Sequence, residues 1–516
     1  MKILVCLMLM TAGGITSPQP SGVTVSAGTD LQAVLNRARP GDLILLEPGV
    51  LYVGNFTLPE TSGSQYITIR SSAPAARFPI AGRVGPEHAR WMPTLRSPNG
   101  TAALATAPGA HHWRLQWLAF EANAGGAGDI ILLGDGSGDQ GDLARVPHHF
   151  ELDGLIVRGD PIRGQKRAIA LNSATTTIRN SDIREIKAVG QDSQAICGWN
   201  GPGPYVIENN YLEAAGENVM FGGADPAIDG LVPSDITFRG NYLSKPLDWR
   251  SADSPWTVKN LLELKNARRV LIEGNVLEHN WSAAQTGYAI VLTPVNDGRA
   301  PWAVVSEVTV RHNVVRHVAS AINILGFDYH APSQQTRHLE IRHNLFYDVD
   351  GSRWGGDGRF LLIGDEPADV VVDHNTVLQS GSILQMYGRR NGRARPIVGL
   401  QLTNNLMLHN DYGIIGDDAG IGRSSIAEYL SREEIRGNVF AGADPSLYPS
   451  DNFFPTVAQL WGAFVDPVSG DYRLRPASLY RAAATDGSMV GAEVDALMRM
   501  IPSKESPGFR GSRRRR

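Results

Sequence analysis

The chain has 516 residues, 42% of them hydrophobic and 19% charged, with a formal net charge of −4. That apolar content excludes a disordered chain, and the charge balance offers no basic footprint for nucleic acid or an anionic membrane. Two cysteines exclude a disulfide scaffold and a cysteine-ligated metal, while 56 glycines suit a chain of many tight turns.

The N-terminus reads as an export signal. Lys2 supplies a positive charge, residues 3–10 form an unbroken apolar run too short to span a bilayer, and residues 11–14 are small. Cys6 has no small residues before it, unlike a lipoprotein anchor. Residues 1–21 are therefore expected to direct the chain to the periplasm or outside the cell, leaving Cys197 as the one cysteine of the mature protein. Cys197 lies in an apolar stretch and reads as a small buried hydrophobe. Thr29, Asp30, Leu31 and Gln32 then form a capping-box pattern, with Leu31, Val34, Leu35 and Ala38 at helical spacing. Pro40 and Gly41 stop that helix before the apolar residues 43–46, which suits a lid on a first strand.

From the middle of the chain a repeat dominates. Asn210, Asn241, Asn275, Asn313, Asn344, Asn375, Asn405 and Asn438 recur 30 to 38 residues apart. Each follows alternating apolar residues and has a large apolar residue two positions on; Asn180 is a weaker first member. Residues 66–69, 115–120 and 152–157 look like degenerate units. Each unit holds two or three short period-2 strands between Gly, Asn, Asp or Pro turns and cannot bury its own apolar face. Stacking the units buries a continuous core, and an Asn at the same bend of every turn can hydrogen-bond its equivalents about 4.8 Å away.

Spacing and ladder together resemble the right-handed parallel β-helix of the pectate-lyase-like superfamily. The resemblance covers roughly residues 40–445 and implies an all-β solenoid of about eleven coils, some 50 Å long. Residues 22–445 are expected to form the helix with its N-terminal lid. Residues 446–500 should make a C-terminal cap, with a hairpin over 464–476 and a closing helix over 490–500. Residues 501–516, rich in arginine, read as a disordered tail.

In such a solenoid the outer face of one strand stack forms a shallow groove, and a site is expected where charge replaces small or apolar outward residues. Residues 239–265 stand out, with Arg239, Lys245, Trp249, Arg250, Trp256, Lys259, Glu263 and Lys265. Glu263 and Lys265 are two apart and share a strand face, with Leu262 and Leu264 pointing inward. Glu217 and Asn218 fall at about the matching place one turn earlier. Only seven lysines accompany 41 arginines, yet Lys245, Lys259 and Lys265 lie within 21 residues. Arginine serves wherever charge alone is wanted, whereas a guanidinium cannot give up its proton to act as a base.

These residues suit β-elimination from an acidic sugar, with Lys265 or Lys259 as base and Arg239 or Arg250 clamping the uronate carboxylate. Trp249, Trp256 and Lys245 are the candidate sugar contacts. Polysaccharide lyases with this fold use Lys or Arg bases, often with calcium. The resemblance thus implies Ca2+ held by Glu217, Asn218, Asp225 and Glu263. Alginate-lyase-like β-helices carry a Glu pair seven and five positions before that Lys; here Val258 and Asn260 stand there.

The expected partner is an acidic polysaccharide bound by a monomer, with no nucleic acid and no membrane span. A non-catalytic glycan binder or surface scaffold and a glycoside hydrolase are the other readings. Asp417 and Asp418 resemble the paired aspartates of polygalacturonase-like hydrolases but read as a turn. His312, His343 and His374 each precede a ladder Asn and should stack in a row. The pairs at 111–112 and 148–149 carry no assignment from sequence.

Overall fold

The computed structural model describes residues 22–502, so the expected signal segment and nearly all of the basic tail lie outside the described residues. Each turn of chain contributes one strand to each of three long sheets. Sheet 1 has 16 strands and opens with Gly22–Val25; sheets 2 and 3 have 13 each and open with Leu51–Val53 and Phe56–Leu58. Ser234–Arg239, Tyr242–Ser244 and Leu262–Leu264 make one turn through sheets 1, 2 and 3, each strand pairing in parallel with its counterpart a turn away. The chain is a parallel β-helix. It has thirteen turns in sheet 2, where about eleven were expected, because the first turns lack the Asn signature. Among the described residues no helix is long and apolar enough to cross a membrane.

Period-2 alternation builds the core. Along sheet 3, Ile169, Ile196, Val219, Leu262, Ile290 and Ile322 occupy one inward row, and all are buried. Removing each such side chain from water contributes roughly 1.5–3 kcal/mol.

The Asn ladder forms as expected and points into the core. Asn210, Asn241, Asn275, Asn313, Asn344, Asn375, Asn405 and Asn438 are fully buried. The amide of each donates to the side-chain oxygen of the next at 2.9–3.1 Å, and Asn438 donates to Asn452, which supplies a last rung only 14 residues on. Every residue before the rungs Asn210 to Asn438 has left-handed backbone, from Asn209 at φ 52° to Gly437 at φ 69°. That explains why Gly, Asn and His alternate there: these residues tolerate the conformation best. Asn180 itself occupies this left-handed position, and Ser181 takes the rung, its N–H donating to the Asn210 side chain at 2.9 Å. The ladder therefore starts one residue later than its sequence pattern suggests. His312, His343 and His374 stack in a row, 5.3 and 5.0 Å apart.

Asn313→Ala tests the ladder. It strips donors from the carbonyls of Ile272 and Arg311 and from Asn344, and removes the acceptor serving Asn275, all inside the core. Leaving such groups unpaired costs about 1–3 kcal/mol each, so chemical denaturation should show a loss of several kcal/mol. The same change at exposed Arg239 should cost within about 0.5 kcal/mol.

At the N-terminus the short helix Leu31–Leu35 covers the first turn, with Leu31 and Leu35 buried; Asp30, rather than Thr29, is its N-cap and accepts from the Ala33 N–H. The expected C-terminal hairpin and helix are present as Phe464–Asp466 with Asp471–Leu474, and Val494–Met500. They do not close the end of the stack. The segment turns back along the outer face of sheet 2, where Leu497 packs on Tyr211, Tyr242, Val276, Val314 and Leu345. Ala492 N–H donates to Thr376 and Gly491 N–H to the Asn404 carbonyl, tying this strap to the flank.

Candidate functional site

Sheet 3 carries the charge. Its parallel register aligns Asp129, Arg167, Gln194 and Glu217 in one outward row, continued by Asn260 and Tyr288. Arg167 donates to Asp129 at 2.8 Å and to Gln194 at 3.0 Å, and Gln194 donates to Glu217 at 2.9 Å. A second outward row holds Glu263, Val291 and Asn323. Glu263 and Lys265 do share the outer face, with Nζ of Lys265 3.4 Å from Glu263, and Asn260 donates to Glu263 at 2.7 Å. Leu262 and Leu264 point into the core.

Over these rows lies a groove of about 380 Å³. Glu263, Lys265, Tyr288 and Asn323 line its floor, and Asp328, Tyr329, His330 and Tyr387 line one wall. The Tyr329 hydroxyl donates to Tyr387 at 2.7 Å. Burial pushes the Tyr387 hydroxyl up to about 12, so it keeps its proton at neutral pH, and Tyr329, 58% exposed, is a phenol open to the groove. Sequence reading missed this pair. Tyr329 and Tyr387 come from turns far along the chain, and only the coil register brings them over Lys265.

Lys259 lies at the N-terminal edge of the same sheet, 2.5 Å from Asp192 and 3.6 Å from Glu217. Burial works against its charge, but the Asp192 hydrogen bond and the Glu217 charge prevail and hold its ammonium above the usual lysine range. Lys259 is also not among the residues that line the groove. Glu217 is 1% exposed; burial first, then the charges of Glu263 and Asp192, raise its carboxyl.

Lys245 is not a sugar contact. It is fully buried, and its ammonium donates to the carbonyls of Ala214, Ala215, Gly216 and Asn260 and to the Asn218 side chain, at 2.8–3.1 Å. Asn218 also faces inward, donating to the carbonyls of Leu212 and Ser244. Arg239 lies on sheet 1, paired with Glu208 at 2.8 Å, so it cannot clamp a sugar over sheet 3. Arg250 sits over the Trp354 ring and donates to the Arg353 carbonyl, outside the groove. Trp249 is buried, and the Trp249 and Trp256 rings sandwich the Lys187 ammonium at 5.1 and 4.7 Å, plugging a flank. Asp225 is buried and accepts the backbone N–H groups of Asp297 and Arg299, which fixes a loop. Asp417 and Asp418 lie in a turn, with Asp418 at φ 59°.

Of the four residues expected to hold calcium, only Glu217 and Glu263 therefore share a face. Asn260, in the row of Glu217 and hydrogen-bonded to Glu263, keeps an unpartnered buried oxygen, the right donor type for a hard cation. Calcium takes six to eight oxygens, however, and here each carboxylate already faces an ammonium, Lys259 or Lys265. The residues do not assemble a calcium cage.

No family model matches the chain, and no curated protein matches it. Among solved structures it is similar to a mannuronic acid specific family 6 polysaccharide lyase from human gut microbiota, at 12% identity over 85% of this chain and 92% of that one, TM-score 0.49. It is also similar to an alginate lyase from Paenibacillus, at 14% identity over 80% and 99%, TM-score 0.30. A family 28 exopolygalacturonase from Yersinia enterocolitica shows 12% identity over 82% and 79%, TM-score 0.42.

Proposed function

We propose that the protein is an exported carbohydrate-active enzyme that cleaves an acidic, uronate-containing polysaccharide by β-elimination in the groove over sheet 3. The observation that carries this reading is a primary amine, Lys265, on the groove floor with two protonated tyrosine hydroxyls on the wall. Elimination needs one proton taken and one given. Lys265 Nζ, once its ammonium has released a proton to solvent, accepts the proton from the carbon next to the uronate carboxylate, the electron pair forms the ring double bond, and the C–O bond to the leaving sugar breaks. Tyr329 or Tyr387 donates the proton that the leaving oxygen requires. Asn323 and His330 line the remaining space and supply polar contacts for the carboxylate.

The test is a screen of uronate polymers by absorbance near 235 nm, where the unsaturated product absorbs. Reducing ends without that signal would mean hydrolysis, and binding with neither would mean a glycan-binding scaffold; either result rejects the lyase reading. Hydrolysis through Glu217 is disfavoured because a carboxyl 1% exposed cannot reach a sugar. Since Lys259 and Lys265 already face the carboxylates, treatment with a calcium chelator should leave cleavage within about twofold of the untreated rate. A loss of tenfold or more, restored by added Ca2+, would reverse that expectation.

A further inference from the structure

Two histidine pairs outside the groove stand together on sheet 1. His111 and His112 open the strand His111–Gln116, and His148 and His149 open His148–Asp153 one turn on, with His148 beside His111 in the parallel register. In a regular strand neighbouring side chains leave on opposite faces. Here His112 and His149 have left-handed backbone, φ 57° and 59°, and all four rings are half-buried with their Nδ1 atoms meeting in pairs. Nδ1 of His111 lies 2.8 Å from that of His112, and Nδ1 of His148 lies 2.6 Å from that of His149. Across the two turns His111 stacks on His148 at 4.9 Å and His112 on His149 at 4.4 Å. Ligand nitrogens of His112, His148 and His149 all fall within 4.8 Å of one another.

Two imidazole nitrogens that close need something between their lone pairs, either a proton or a cation. We propose that these histidines form a site for a divalent transition ion of the class that prefers imidazole, namely Zn2+, Ni2+ or Cu2+. At a metal–nitrogen distance of about 2.0–2.1 Å, tetrahedral ligand nitrogens stand about 3.3 Å apart. The pairs would open by about 0.5 and 0.7 Å and would close on each other, a rotation of rings already stacked. The row His312, His343 and His374 makes the contrast. It gives one ring per turn in a line, and His374 is engaged by Asp373 at 2.7 Å and Ser488 at 2.9 Å.

The position also gives the ion a structural role. The Asn ladder begins at Ser181, and in the two turns that carry the histidines the rung positions are the buried, apolar Leu118 and Leu155. A metal bridging His111–His112 to His148–His149 ties together two turns that no asparagine rung connects.

Metal-free full-length protein dialysed in turn against Zn2+, Ni2+ and Cu2+ should take up one ion per chain. The double variant His112→Ala/His149→Ala should bind at least tenfold more weakly, and His312→Ala/His343→Ala should bind as wild type does. Zn2+ should raise the melting temperature of wild type and leave that of the His112→Ala/His149→Ala variant unchanged. If that variant does not fold, His149→Gln, which removes one ligand and keeps a polar side chain, should show the same weakening. No uptake by wild type, or equal uptake by wild type and the ligand variants, overturns the site.

Discussion

Lys265→Ala should lower the rate at which the 235 nm product forms by about 10²–10⁴-fold, the usual contribution of a positioned general base. That corresponds to roughly 3–5.5 kcal/mol of barrier. Lys265→Arg is the decisive companion. It keeps the positive charge beside Glu263, and with it attraction for an acidic glycan, but a guanidinium with a pKa above about 12 cannot accept a proton at neutral pH. The arginine variant should therefore bind polymer within a few-fold of wild type and cleave no faster than the alanine variant. The Lys265 side chain is 21% exposed and holds no backbone group, so neither change should alter the melting temperature by more than a degree or two. Full activity in Lys265→Arg would reduce the residue to a charge and move the base elsewhere in the groove.

Parity explains most of what the sequence disclosed about this site. A period of two places Glu263 and Lys265 on one face and Leu262 and Leu264 on the other, as the folded chain has them. Glu217 and Asn218 could not be sorted by that rule: Asn218 and Val219 both face inward, so the alternation breaks at this corner and leaves Glu217 on the outer face. Arg239 and Lys245 are near Lys265 in sequence but belong to different sheets of the turn. Sheet membership follows from the Asn bend: Arg239 lies before it on sheet 1, and Lys245 lies just past the sheet 2 strand. The Asn ladder was legible because each rung makes the same hydrogen bonds and so demands the same residue. Tyr329 and Tyr387 carry no such repeat. They lie 58 positions apart, and each is an ordinary aromatic in its own segment. Asp192 and Lys187 were missed for a related reason: their partners, Lys259 and the two tryptophans, come from 62 to 69 positions later.

Lys245 governs the groove from beneath it. All five of its partners are oxygen acceptors, so three ammonium protons are fully used, whereas the lone pair of a neutral amine would face only oxygens. Burial pulls its pKa down and the Glu217 charge opposes that pull, and the acceptor cage favours the charged form. Three of these acceptors, the carbonyls of Ala214, Ala215 and Gly216, lead directly into the strand Glu217–Phe221, and the fourth carbonyl belongs to Asn260 beside Glu263. Lys245→Met, similar in volume but without protons to give, should leave these buried oxygens unpaired. Breaking such a buried charged cluster costs about 3–5 kcal/mol, which a shift in the denaturation midpoint would record. Activity should fall with it, because Glu217 and Asn260 lose the anchor that holds them in register with Glu263. A Lys245→Met protein as stable as wild type, with cleavage intact, would show that the cage does not position the groove floor.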